Sequence, residues 1–215
     1  MTCRRRFKTV PAGHRFWRAQ LGHQSRFDDQ SGERVISPHP EERMKPLSDE
    51  AVEGRVNPKG IPCLYFATSP EIAMTEVRPW LGSTISVAAF ETLRALRLVD
   101  CSEPEPNQAE STTEAAVWKD INGAFAEPIV RSDRTGDYAA TQILAELFKR
   151  EGSDGLTYKS AFSDKGFNVA AFDLDCAKLT ESSLFRVETT NFKFSALNDD
   201  VPHAGDPGTG RAKGE

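Results

Sequence analysis

The chain has 215 residues, 38% of them hydrophobic and 27% charged, with a formal net charge of −5 and a pI of about 5.5. This size predicts one domain with additional tails, and the acidic balance argues against a general nucleic-acid binder, which normally carries a basic surplus. No apolar run approaches the ~18 residues of a membrane-spanning helix, and no apolar segment follows the basic N-terminus as in a signal peptide, so we expect a cytoplasmic protein.

The first half of the chain predicts strands around one short helix. Residues 14–21 are aromatic-rich and predict the first strand. Residues 23–53 are polar and broken by prolines, so we interpret them as a long irregular connection of a length that is often functional. A strand at 62–68 leads to Ser69, which has the features of a helix N-cap because Pro and Glu follow it. Two further strands follow, at 83–93 and 95–102.

The second half predicts two helices and two more strands. After an acidic loop at 103–110, Ser111 and Glu114 form a capping-box pattern that opens a helix to about residue 126. The next helix, within 137–152, is the most regular in the chain. Its expected core face consists of Ala140, Ile143, Leu144 and Leu147. Strands follow at 154–162 and 167–174, and the composition after Ser195 predicts disorder.

Strands and helices are therefore mixed without regular β-α alternation. This order predicts a single mixed domain of the α+β class rather than a doubly wound parallel sheet. The expected division is a basic extension at 1–13, the domain at 14–194 and a tail at 195–215.

The spacing of cysteines and histidines does not predict a metal site. The four cysteines form no C-x-x-C pair, and the four histidines form neither H-x-x-x-H nor H-E-x-x-H. Cys63 and Cys101 lie in apolar runs, so we expect buried packing residues with free thiols.

Five polar or aromatic residues remain as candidates for chemistry: Arg18, Arg55, Tyr65, Glu76 and Ser160. Two arginines suit a diphosphate, because guanidinium groups bind phosphate oxygens in pairs. An aromatic ring suits a flat base, and a lone carboxylate suits the positive charge that develops on a sugar during glycosidic cleavage. Together these features describe the substrate NAD.

Each of these residues also has an ordinary structural interpretation. The arginines could be surface charges, Tyr65 could belong to the core, Glu76 could be solvated on its helix, and Ser160 could form a turn. Spacing alone leaves both interpretations open.

The stretch from Gly54 to Trp80 resembles the core motif of the RES domain family, a Gly-Arg-x-Asn-x-x-Gly loop, a strand with Tyr, and a helix with Ala-x-x-Glu-Val. The matching residues are Gly54, Arg55, Asn57, Gly60, Tyr65, Ala73, Glu76 and Val77. The closing half resembles the family as well, with Asp154, Gly155, Tyr158, Ser160, Gly166 and Asn168. The resemblance covers residues 14–194, and the long 23–53 segment is similar to the longer branch of the family.

The resemblance implies an ADP-ribosyltransferase-like fold and an enzyme that cleaves the nicotinamide–ribose bond of NAD. It implies the toxin of a toxin–antitoxin pair, with an Xre-type helix-turn-helix protein as partner and inorganic phosphate as a candidate co-substrate. Glu76, Arg55 and Ser160 would be catalytic; Arg18, Tyr65, Asn168 and Gln142 would contact or support NAD. No prosthetic group or metal is expected, because nicotinamide leaves as a neutral group. ADP-ribosyl transfer to a protein or nucleotide, a non-catalytic binding module, and a homodimer all stay open.

Overall fold

The strands and helices of the chain follow each other in irregular order. The computed structural model describes residues 6–47, 51–102, 112–127, 135–163 and 166–195. In chain order the elements are β1 Phe7–Val10, β2 Arg15–Leu21, β3 Gln24–Asp28, β4 Glu33–Ser37, α1 Glu41–Met44, β5 Leu64–Ala67, α2 Pro70–Glu76, β6 Thr84–Thr92, β7 Leu96–Asp100, α3 Thr112–Ala126, a 3₁₀ turn Thr135–Tyr138, α4 Ala139–Arg150, β8 Gly155–Lys159, β9 Phe167–Ala171 and β10 Ala177–Arg186.

One large sheet organises the described residues. Its strand order is β1-β7-β8-β9-β5-β2-β6-β10, and the neighbouring strands are antiparallel except for β7 and β8, which are parallel. A sheet of mixed direction with helices packed against it confirms the predicted α+β class.

The sheet is almost divided between β2 and β5. β2 pairs with β6 along its whole length, but it pairs with β5 only through Trp17 and Ala67. The sheet therefore has two halves, β1-β7-β8-β9-β5 and β2-β6-β10, joined at one residue pair. We call this junction the seam.

The core lies on both faces of the sheet. On one face, apolar side chains such as Phe16, Phe66 and Phe90 form a cluster that α1 covers with Met44. On the other face α2 packs over one cluster, and α3 and α4 pack over a second. Because successive residues of a strand point to opposite faces, the polar side chains of β8 and β9 discussed below share the face that carries α2, α3 and α4.

The segment 23–53 is not the irregular connection predicted from the sequence. β3 and β4 form an antiparallel hairpin, in which Gly32 adopts a positive φ of 69° at the turn, and α1 follows. The hairpin residues are mostly exposed. With no buried face there is no apolar alternation to reveal the strands.

The core face of α4 was predicted correctly only in part. The buried residues of the helix are Thr141, Ala145 and Phe148, and the predicted Leu144 packs, half-buried, against the same cluster as Ala145 and Phe148. Ala140 is exposed, Ile143 is 69% exposed and Leu147 is 43% exposed. The helix ends as predicted, because Gly152 takes a positive φ of 78° just beyond it.

The ends of the chain and the cysteines differ in how they compare with expectation. Residues 7–10, assigned to a terminal extension, form β1 and pair with β7, and β10 was not predicted. Cys63 and Cys101 are buried free thiols, as expected. The 103–110 loop, the Ser111 cap and the tail beyond residue 195 lie outside the described residues. None of the helices in the described ranges is long and apolar enough to cross a membrane.

Candidate active site

Helix α2 ends in a carboxylate that two buried side chains hold in place. The hydroxyl of Ser69 caps the helix by accepting a hydrogen bond from the N–H of Ile72 (3.3 Å). Glu76 is the last residue of the helix, and its Oε1 accepts hydrogen bonds from Ser160 Oγ (2.8 Å) and Asn168 Nδ2 (2.7 Å). The structure thus brings together three residues that are distant in sequence. We call them the Glu76 cluster.

Both donors of the Glu76 cluster bind the same carboxylate oxygen. Ser160 and Asn168 are only 4% and 7% exposed, while Glu76 itself is half-buried. The Ser160 oxygen also accepts a hydrogen bond from the N–H of Phe162 (3.2 Å), which leaves its proton for Glu76. The described residues provide no hydrogen bond to the second oxygen, Oε2. The carboxylate is therefore fixed through one oxygen and can present the other to a ligand.

The position of Gly166 explains why α2 can approach this closely. A Cβ atom at Gly166 would collide with the side chain of Ile72 on α2. The carbonyl of Gly166 also accepts a hydrogen bond from the N–H of Ser160 (3.0 Å). Gly166 therefore lets the turn before β9 lie against α2 and orients Ser160 toward Glu76.

Arg18 lies at the seam and has hydrogen-bonding capacity to spare. Its Nη1 donates to the carbonyl of Tyr65 (3.0 Å), whereas its buried Nε has no partner. No described carboxylate lies within ion-pair distance of Arg18. Burial lowers the pKa of this guanidinium from its ordinary value, and the neighbouring Tyr65 and Cys63 act in the opposite direction. A half-buried cation with an unpaired, buried Nε is suited to bind an anion.

Arg55, by contrast, donates two hydrogen bonds to carbonyls within the domain. It is only 7% exposed, and it donates from Nε to the carbonyl of Glu127 (2.9 Å) and from Nη1 to the carbonyl of Ala124 (3.2 Å). Its Nη2 lies 3.9 Å from the carboxylate of Glu127, and its guanidinium lies 5.3 Å from the ring centroid of Tyr138. Arg55 is therefore not a surface charge. Two of its nitrogen atoms are thus directed at the end of α3 rather than at an open site.

Tyr65 and Gln142 face the loop that carries Arg55. The Tyr65 hydroxyl donates to Asn57 Oδ1 (2.7 Å) and accepts from the N–H of Val56 (3.2 Å). Burial raises the pKa of Tyr65 well above its usual range. The Nε2 atom of Gln142 lies within hydrogen-bonding distance of Glu53 Oε1 (3.2 Å) and of two loop carbonyls, at 3.0 and 3.2 Å. Both side chains hold this loop.

Tyr158 was not among the residues predicted for the site. It is 8% exposed, precedes Ser160 by two residues on the same face, and pairs with Asn168 across β8 and β9. Burial raises the pKa of its hydroxyl, the negative charge of Glu76 raises it further, and Arg55 acts in the opposite direction. Tyr158 thus lies near both Glu76 and Arg55. The sequence signal is its two-residue spacing from Ser160.

Comparison with known proteins bears directly on this arrangement. The RES domain model matches residues 15–195. This chain belongs to the RES domain family. The match confirms the resemblance carried by the loop, α2 and β8 motifs, and every residue of the RES protein's Glu76 cluster lies within it. The comparison with curated proteins found no relative.

Proposed function

We propose that this RES domain protein cleaves the nicotinamide–ribose bond of NAD. The observation that carries the proposal is the Glu76 carboxylate, fixed through Oε1 by Ser160 and Asn168. Glycosidic cleavage passes through an oxocarbenium-like transition state, and a pre-oriented carboxylate stabilises the positive charge that develops there.

In the proposed reaction nicotinamide departs as a neutral molecule with the electron pair of the bond. The ribose C1′ acquires positive charge, which the negative charge of Glu76 stabilises. An acceptor oxygen from water or inorganic phosphate then forms the new bond to C1′ and loses its proton if it carries one. Because Ser160 and Asn168 hold Glu76 before the substrate arrives, little reorganisation is needed during the reaction.

Arg18 is the better of the two arginines for the diphosphate. Its buried Nε has no partner, and no carboxylate within the described ranges pairs with it, so an anionic ligand would satisfy this half-buried cation. Tyr65 provides the carbonyl that holds Arg18, while its own hydroxyl points into the loop. We propose in addition that the ring of Tyr65 contacts NAD. Gln142 would support the site indirectly, because its side-chain amide donates a hydrogen bond to the loop that carries Arg55.

The biological setting is proposed from the family. We propose that the protein is the toxin of a toxin–antitoxin pair, with an Xre-type partner, because NAD depletion would stop growth unless the site were covered. The candidate acceptors are water, phosphate and a macromolecule.

The test is NAD consumption by the purified protein with and without inorganic phosphate, beside Glu76→Gln. The substitution removes the charge and retains the shape, so turnover should fall by about 10² to 10³, equivalent to about 3–4 kcal/mol of barrier. Dependence on phosphate would identify a phosphorylase, and turnover without it a hydrolase. Near-wild-type turnover in Glu76→Gln would refute the proposal. Nicotinamide release only in the presence of a cell extract, with labelled ADP-ribose on a macromolecule, would instead identify an ADP-ribosyltransferase.

A further inference from the structure

The loop at residues 51–61, which carries Arg55 and which we call the Arg55 loop, is closed by its own hydrogen bonds. The N–H of Gly54 donates to the carbonyl of Asn57 (2.9 Å), and the N–H of Gly60 donates to that of Ala51 (3.0 Å). The side-chain amide of Asn57 donates to the carbonyls of Val52 (3.0 Å) and Ile61 (2.8 Å). One buried asparagine thereby holds both ends of the loop.

Tyr65 and Gln142 attach this closed loop to the body of the domain. Tyr65 comes from β5 and Gln142 from α4, and both bind Asn57 or its neighbours. The packing is tight at Gly54, where a Cβ atom would lie 2.7 Å from the Tyr65 hydroxyl and 3.0 Å from Asn57 Oδ1. The Arg55 loop is therefore held on two sides before any ligand binds.

Arg55 extends from this loop to the C-terminal end of α3. The two carbonyls that accept its hydrogen bonds belong to Ala124, in the last turn of α3, and to Glu127, which directly follows the helix; carbonyls at a helix end lack intrahelical partners. A guanidinium that binds such carbonyls caps the helix and interacts favourably with the negative end of its dipole. Arg55 thus ties the end of α3 to the Arg55 loop.

Helix α3 in turn contacts the strand that leads to the Glu76 cluster. Asn122 Oδ1 accepts a hydrogen bond from the N–H of Lys159 (3.2 Å), and the ring centroid of Phe125 lies 5.9 Å from that of Tyr158. Lys159 immediately precedes Ser160, the donor to Glu76. A shift of the α3 terminus would therefore move the residues next to Ser160.

We propose that Arg55 is a positioning residue, which holds the end of α3 against β8 and so sets Ser160 relative to Glu76, rather than a ligand of the diphosphate. The reaction it serves is the proposed function above. Tyr65, Asn57 and Gln142 act in the same way, because they fix the loop from which Arg55 extends.

The experiment compares Arg55→Lys, Tyr65→Phe and Arg18→Lys in the full-length protein. Lysine keeps the positive charge of Arg55 but cannot bind two carbonyls in the planar fork of a guanidinium. Tyr65→Phe removes only the hydroxyl, so any stacking by the ring is retained. The measurements are kcat and KM for NAD, the Kd for ADP-ribose by calorimetry, and hydrogen exchange of peptides covering 118–127 and 155–160.

Arg55→Lys should lower kcat by about tenfold or more, since displacements of about 1 Å can have effects of this size. Its Kd for ADP-ribose should stay within about threefold of wild type, and exchange at the end of α3 should increase. Tyr65→Phe should change the same quantities in the same direction, and the double variant should lose less than the product of the two. Arg18→Lys should weaken ADP-ribose binding by about tenfold or more and leave exchange in α3 unchanged.

The proposal is overturned if Arg55→Lys weakens ADP-ribose binding as much as Arg18→Lys while exchange in α3 is unchanged. Phe90→Leu, in the core of the opposite face, controls for general loss of stability. An equal drop in kcat in that variant at equal loss of Tm would also overturn it. If the wild type neither consumes NAD nor binds ADP-ribose, the proposed function fails, and exchange at the end of α3 alone decides the role of Arg55.

Discussion

Removal of the Glu76 side chain should destabilise the protein more than replacement of its charge. In Glu76→Gln the amide oxygen can take the place of Oε1, because both neighbours, Ser160 and Asn168, are donors. The amide N–H₂ then replaces Oε2 and faces the ligand. In Glu76→Ala, both buried donors lose their acceptor.

The magnitude follows from the two hydrogen bonds. Hydrogen bonds to charged groups contribute about 1.5–3 kcal/mol each and neutral ones about 0.5–1.5, so Glu76→Gln should lower the free energy of unfolding by about 1–3 kcal/mol. A buried donor without a partner costs about 1–3 kcal/mol, so Glu76→Ala should lose about 2–6. Because Glu76 is half-buried, water can reach part of the site, and the lower half of each range is expected.

The assay is urea denaturation at pH 7, followed by circular dichroism. Turnover should fall by about 10² or more in both variants, whereas the free energy of unfolding should decrease in the order wild type, Glu76→Gln, Glu76→Ala. The control is Glu71→Gln, at an exposed position on the same helix. Thr75→Ala is unsuitable, because the Thr75 hydroxyl donates a hydrogen bond to the carbonyl of Ile72. Equal stability of wild type and Glu76→Ala would refute the geometry of the Glu76 cluster.

Three further predictions concern the scaffold. Gly166→Ala should leave the protein folded but lower NAD turnover by at least about tenfold, since the new Cβ overlaps the buried Ile72 side chain of α2, which must shift; turnover equal to wild type would contradict this. On α4, Phe148→Ala should lower the free energy of unfolding, measured with denaturant, by about 3–5 kcal/mol, whereas Ile143→Lys should change it by no more than about 0.5 kcal/mol. The reverse order would show that the helix packs through the face predicted from the sequence. Burial raises the pKa of Cys63 to about 12 and that of Cys176 to about 11, so at pH 8 both stay protonated thiols. Peptide mapping after iodoacetamide should find them alkylated only in unfolded protein, and rapid labelling of the native form would contradict their burial.

Local signals in the sequence predicted the elements around the site well. Ser69 and Pro70 marked the start of α2, and Gly152 marked the end of α4, because caps depend on a few neighbouring residues. The partners of Glu76 could be named only through the family motif. Its hydrogen bonds connect residues 84 and 92 positions apart, and no local pattern determines such pairings.

The errors have equally specific causes. The apolar spacing that predicted α4 is compatible with more than one buried face of the helix. The face that packs over β8 carries the small Ala145 beside the large Phe148, and together they fill the space there. The assignment of Arg55 to a phosphate is not one of these errors and stays a prediction. The chemistry of a guanidinium suits the carbonyls at the end of a helix as well as a phosphate, which is why the sequence leaves both roles open.

The order in which the strands pair has a consequence for synthesis on the ribosome. β2, near the start of the chain, pairs with β6, and β6 also pairs with β10, whose last residue is Arg186. Glu76 is synthesised long before Ser160 and Asn168. At a translation rate of about 5–20 residues per second, the delay between them is several seconds. Under the proposed function, an unfinished chain that already carries α2 therefore cannot consume NAD. A partner that covers the site, as proposed, would therefore first be needed once Ser160 and Asn168 have been synthesised.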